Sequence, residues 1–169
     1  ITTGIDETNL KYIDQKGIFS FEYPELLNLT KSGAVVELHH DIPYTNYGDC
    51  DMIGDTDVTY ERLTDFKMTF KVVSPRIEPP YIDGEISSGS RDGNWAYQGA
   101  EGCGVIEYYF DIDDQRTLVI AREAVQALSG IGNKEVEKEI LAVPGVISKQ
   151  ENEAMFKQIL SSLNIYDDS

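Results

Sequence analysis

Residues 66–73 read Phe66-Lys67-Met68-Thr69-Phe70-Lys71-Val72-Val73. Apolar and polar side chains alternate, with Phe66, Met68, Phe70 and Val72 on one face and Lys67, Thr69 and Lys71 on the other. A period of two marks a strand with one buried and one wet face, whereas a helix would scatter the same side chains around its axis. It is the cleanest such pattern in the chain, and the fold is built outward from it.

Toward the C-terminus, Pro75, Pro79 and Pro80 interrupt the sheet before a weaker strand at 81–87, a turn at 88–93 and a short strand at 94–100. Residues 105–112 and 116–122 are strand-like runs flanking Asp113-Asp114-Gln115, which predicts a hairpin. A helix is expected at 123–128, ended by Gly130 and Gly132. The last helix is better marked. Ser148 and Glu151 fit a capping box, Ile147 is placed to staple onto the first turns, and Met155, Phe156, Ile159, Leu160 and Leu163 recur at helical spacing.

Toward the N-terminus, Thr56 is a candidate cap for a short helix at 57–64, and 41–57 is loop-like with Pro43, Gly48 and Gly54. Residues 17–24 alternate aromatic with polar and stop at Pro24. The turn at Lys31-Ser32-Gly33 predicts that this strand pairs with 34–40 as an antiparallel hairpin. Together these elements describe an α+β fold, a mainly antiparallel sheet of six or seven strands with packed helices.

The 169 residues suit one domain, read as a polar linker or tether at 1–16 and a single sandwich domain at 17–169. The chain opens at Ile1 without a leader, the expectation being a mature chain whose leader or anchor has been removed. Thirty acidic residues against 14 Lys and Arg, a net charge of −16, exclude nucleic acid and anionic membrane surfaces as partners. No apolar run is long enough to span a bilayer. Cys50 and Cys103 lie far apart and neither belongs to a CxxC pair, which excludes zinc ribbons and thioredoxin-like motifs. Either they form one long-range disulfide, worth about 4 kcal/mol in the chain-entropy treatment, or they are two free thiols.

Phe19-Ser20-Phe21-Glu22-Tyr23-Pro24 resembles the opening strand of the Mog1/PsbP-like sandwich superfamily, and 156–165 (FKQILSSLNI) resembles its closing helix and exit. Leu38-His39-His40, Cys50-Asp51, Leu63-Thr64-Asp65-Phe66, 99–104 (GAEGCG) and Tyr108-Tyr109-Phe110 resemble exported or lipid-anchored bacterial proteins of unassigned function that share that fold. The resemblance implies an α/β/α sandwich, an extracytoplasmic setting and a disulfide between Cys50 and Cys103. The superfamily's better-known members are binding and assembly proteins, one group associated with a photosynthetic complex and another with a small GTPase. They share no catalytic set, so no catalytic residue carries over.

Four constellations could carry chemistry. Asp49, Asp51, Asp55, Asp57 and Glu61 offer carboxylates for calcium, although Ile53 and Tyr60 occupy two ligand positions of an EF-hand counted from Asp49. One of His39 and His40, with Cys50, Cys103 and Asp51, offers a mixed zinc set. Cys103 between Gly102 and Gly104 is an approachable thiol, but Glu101 and the acidic chain disfavour its thiolate. Glu101, Glu107, Asp111, Asp113 and Asp114 supply carboxylate pairs. Tyr44, Tyr47, Trp95 and Tyr97 are candidate partner-binding aromatics, with Tyr108 and Tyr109 nearby in sequence.

These readings converge on a non-enzymatic extracytoplasmic module, periplasmic, surface-bound or secreted, that contacts a protein partner and needs no cofactor. It does not span a membrane and is expected to be membrane-tethered in the full-length protein. The alternative is a small metal- or cysteine-dependent enzyme using His39 or His40, Cys103 and the 49–57 loop.

Overall fold

The computed structural model describes residues 8–48, 58–89 and 91–167. Within them the order is β1 (Asn9–Ile13), β2 (Phe19–Pro24), β3 (Asn28–Ser32), β4 (Val35–Asn46), β5 (Tyr60–Val73), β6 (Gly84–Ser88), β7 (Arg91–Ala100), β8 (Cys103–Asp111) and β9 (Thr117–Glu123). A 3-10 turn (Gln126–Leu128), α1 (Lys134–Leu141), α2 (Lys149–Ser162) and β10 (Asn164–Ile165) complete it. Two antiparallel sheets result. One has seven strands in the order β3-β4-β5-β9-β8-β7-β6, the other three in the order β1-β2-β10.

The alternation in β5 does what its pattern demands: Phe66, Met68 and Phe70 are buried. Register extends that face sideways, with Val36 opposite Phe70 on one side, Ile120 opposite it on the other, and Tyr108 opposite Ile120. The three-stranded sheet and α2 cover the face. Phe21 stacks on Phe70 with ring centroids 4.1 Å apart, and Met155, Phe156, Ile159 and Leu160 of α2 join the same cluster. Burying each such side chain contributes roughly 2 kcal/mol. A smaller cluster, in which Leu128 and Ile140 meet Ile42 and Leu63, places the 3-10 turn and α1 beside it.

Those last two residues reach the core because of a β-bulge. His40 pairs with Phe66 but Asp41 pairs with Thr64, so Asp65 is an extra residue in β5. The extra residue shifts the period by one, and Leu63 opposite Ile42 stays on the buried face that Phe66 occupies.

Several expectations are corrected. The strand at 19–24 does not pair with 34–40; β3 takes that place, and β2 sits in the small sheet between β1 and β10. The Lys31-Ser32-Gly33 turn does close a hairpin, but with β3 as its first strand. Residues 60–64 are strand rather than helix, because pairing with β4 outweighs the weak local helical signal. β4 continues through Pro43 to Asn46, and β3 stops opposite His39, so the proline interrupts no ladder on that side. The helix expected at 123–128 is a single 3-10 turn, and α1 follows it, capped by Asn133, whose side chain accepts from the Glu135 and Val136 amides. Part of the polar stretch 1–16 is β1, whose Tyr12 packs on Phe19 and Phe21. Among the described residues, the face opposite the core carries no second helical layer of the α/β/α kind. Residues 74–83 cross it instead, with Ile77 bonded to Thr117 and Tyr81 bonded to Tyr97. None of the helices of the described residues is long and apolar enough to cross a membrane.

Candidate functional site

The bulge places a carboxylate where the pattern has no room for one. Asp65 is fully buried. Its Oδ1 lies 2.7 Å from His40 Nδ1, and its Oδ2 accepts the Ile147 amide at 2.7 Å just ahead of α2. Its carbonyl accepts Asn152 Nδ2 at 2.9 Å. Asn152 Oδ1 in turn accepts Arg122 Nε and Nη2, and the guanidinium lies 4.6 Å over the Phe156 ring. One polar chain thus ties β4, β5, α2 and β9 together inside an apolar core. Every member is bonded, which is the condition for burying such a chain without a large penalty. Sequence reasoning passed over Asp65, yet a signal was present: Leu63 and Phe66 share a face at a spacing of three, which a strand allows only across a bulge.

Beside this chain is a cavity of about 130 Å³ lined in part by Ile106, Arg122, Leu128, Ile147 and Asn152. Cavities that hold drug-sized ligands run to roughly 300–1,000 Å³, so this one has room for a ring or a branched aliphatic group.

Among the described residues, the histidines and Cys103 of the enzymatic constellations are not brought together. His40 and Cys103 sit on β4 and β8, separated by β5 and β9, roughly 14 Å of sheet. Cys103 is buried. The glycines around it serve the β7–β8 hairpin. A Cβ on Gly99 would lie 2.1 Å from the Cys103 carbonyl oxygen, and one on Gly104 would lie 2.2 Å from that of Gln98. His39 points to the other face of β4 beside Glu37. Among the described residues no three His, Cys, Asp or Glu side chains could share a metal. Asp49, Cys50, Asp51, Asp55 and Asp57 lie outside the described residues, and Glu61 is exposed at the start of β5.

Of the five carboxylate candidates, Glu101 and Asp114 are exposed and the other three are engaged. Glu107 accepts from Tyr109, and Asp111 from Arg76 at 2.8 Å. Asp113 accepts both Arg116 Nε and Nη2, and the guanidinium, with the Gln115 amide, holds its carboxyl below the usual range. Burial, reinforced by the bond to Glu107, pushes the Tyr109 phenol well above its ordinary value.

The four aromatics expected at a docking surface are not one cluster. Tyr44 is half-buried and donates to Glu139 of α1, and burial with that bond raises its phenol. Tyr47 is exposed. Trp95 packs against the main core, and Tyr97 donates to the Cys103 carbonyl. β4 and β7 stand four strand spacings apart, roughly 19 Å.

A different set of apolar side chains, on one short segment, stands in the open. The strap at 74–83 is pinned at one end, where Thr117 Oγ1 accepts the Ile77 amide and donates to the Ile77 carbonyl, both at 3.1 Å. At the other end the Tyr81 hydroxyl donates to the Tyr97 carbonyl, and Asp83 Oδ2 accepts the Tyr97 amide at 2.7 Å. Between and beside these pins Ile77, Tyr81 and Ile82 are exposed, Ile82 by 61%. Its prolines read in sequence as a break in the sheet. What they build is a shaped arch, visible only once Thr117 and Tyr97 are placed beneath it.

No family model matches the chain, and no curated protein matches it. Solved structures similar to it include the following two. One is a crystal structure from Bacteroides thetaiotaomicron, 9% identical with a TM-score of 0.48 over 94% of this chain; the chain spans about half of that protein, 48%. The other is the Ran-binding protein Mog1p of Saccharomyces cerevisiae, 6% identical with a TM-score of 0.48, covering 95% of this chain and 97% of that one. Both likenesses concern the layout of the chain, and nothing about activity is taken from them.

Proposed function

We propose that this protein is a non-enzymatic, extracytoplasmic binding or assembly module that contacts a protein partner through the outer face of β7 and β8. The observation that carries the reading is the pinned strap with Ile77, Tyr81 and Ile82 in solvent. Apolar side chains grouped at a surface serve association. A segment already held at both ends loses little freedom on binding, which spares the complex an ordering cost. His40 is bonded to Asp65, Cys103 is buried, and the two stand on strands three spacings apart. The extracytoplasmic setting rests on the sequence resemblance and on the Cys50–Cys103 disulfide it implies.

A photoreactive amino acid at Ile82, compared with one at Leu141, also exposed, on α1, tests the reading in the native host. The expected result is a discrete crosslinked species from position 82, absent from 141 and lost when Ile77 and Tyr81 are both replaced by Ser. Equal crosslinking at both positions, or turnover abolished by Cys103→Ala, overturns it.

A further inference from the structure

We infer that β6 is an acceptor edge, to which an extended, basic segment of the partner adds as an eighth strand of the large sheet. The inference rests on the protein-binding reading above and specifies how binding occurs. β6 ends the seven-stranded sheet and pairs only with β7, so one side of its backbone is unpaired among the described residues. Backbone donors and acceptors in a row recognise another extended backbone, and side chains at alternate positions then select the sequence.

Three other edges carry guards, the two-residue β10 is too short to template a strand, and the part of β5 that runs past β9 carries Arg62 and Lys67. β1 carries Lys11 and β3 carries Lys31, and the part of β4 that runs past β3 contains Pro43, all devices that discourage strand addition. β6 reads Gly84-Glu85-Ile86-Ser87-Ser88, with neither Lys nor Pro, and its pairing with β7 runs without a register shift. Its five residues offer roughly 16 Å of edge. The strap ends directly before it, so Ile82 stands beside the entry to the edge.

Charge names the occupant. Glu85 and Ser87 face Asn94 and Asp92 across the hairpin, and these four line a depression of about 390 Å³ together with Ile86 and Gly93. Asp83 adds a further carboxylate. The nearest cations are already engaged, Arg76 by Asp111 and Glu78 and Arg91 by Asp167. A second copy of this chain is a poor occupant, since pairing β6 with itself would bring two faces carrying Glu85 and Asp92 together on a protein of net charge −16. A segment with Lys or Arg at alternate positions would place them over Glu85 and Asp92, and its intervening β-branched residues would continue the row that contains Ile86.

The probe is acetyl-Lys-Val-Lys-Val-Lys-amide, with acetyl-Glu-Val-Glu-Val-Glu-amide as its counterpart. Trp95, the one tryptophan, is the reporter, because its indole lies against Gly84 so closely that a Cβ there would sit 2.5 Å from Nε1. The basic peptide is expected to change Trp95 fluorescence saturably, to protect amides within 84–88 from exchange, and to bind at least tenfold more weakly on raising salt from 50 to 500 mM. Ile86→Pro should abolish binding, and Glu85→Lys should reverse the preference toward the acidic peptide without disturbing the fold. Equal binding of both peptides, protection at β1 or β3 instead, or dimerisation through β6 on sedimentation each overturns the inference. A crosslink at Ile82 with no response to the basic peptide leaves the docking face standing and removes strand addition; loss of both removes both.

Discussion

Asp65 shows how one side chain can hold three elements together. Its two carboxylate oxygens and its carbonyl each have a separate partner, on β4, ahead of α2 and within α2. Asp65→Ala leaves His40 and the Ile147 amide short of partners at once, while the carbonyl that accepts Asn152 remains, and should cost about 3–5 kcal/mol in urea denaturation. His40→Ala should approach that cost, because it strands the carboxylate, and a double variant with His40→Leu and Asp65→Leu should cost less than the sum of the single changes. A second residue-scale prediction concerns Tyr109. Its phenol is raised by burial first and by Glu107 second. What the neutral phenol contributes is intact below the ordinary tyrosine value of about 10 and is lost as pH rises through the higher folded value. A spectroscopic titration should show Tyr109 among the last tyrosines to ionise, coincident with alkaline unfolding, and Tyr109→Phe should remove that late component.

At the scale of elements, how much the sequence discloses depends on whether local pattern and tertiary pairing agree. In 66–73, in the 105–122 hairpin and in α2 they agree, and those elements stand where the pattern put them. The Ser148 side chain accepts the Glu151 amide at 3.2 Å, so Ser148→Ala should cost about 1 kcal/mol, read as a lowered denaturation midpoint. Where they disagree, long-range pairing wins. Residues 60–64 look weakly helical alone and become strand because β4 supplies a ladder; β2 looks like a neighbour of β4 and is claimed instead by β1 and β10. The candidate site was less legible still. Tyr44, Tyr47, Trp95 and Tyr97 were chosen by type, and type does not say which strand spacing separates them. The strap was hidden because Thr117 and Tyr97, which pin it, lie 40 and 16 residues from the strap residues they hold. Gly84→Ala tests that corner: the added Cβ must displace the Trp95 indole, which should shift Trp95 emission and lower stability.

For the whole molecule, the extracytoplasmic proposal turns on whether Cys50 and Cys103 are paired, as the resemblance implies. Denaturing the natively produced chain without reductant, alkylating it and weighing it should show no adduct; two adducts would place it in a reducing compartment. The same scale exposes a dependence between the chain's ends. β2 lies between β1 and β10, the Tyr166 amide donates to the Ile18 carbonyl, and Ser20 bonds to the Tyr166 hydroxyl. In terms of synthesis, Phe19 and Phe21 leave the ribosome early and have no complete shelter until α2 and β10 emerge more than a hundred residues later. A chain arrested before α2 should therefore remain protease-sensitive and bind chaperones through β2, and release of the last segment should be the event that completes folding.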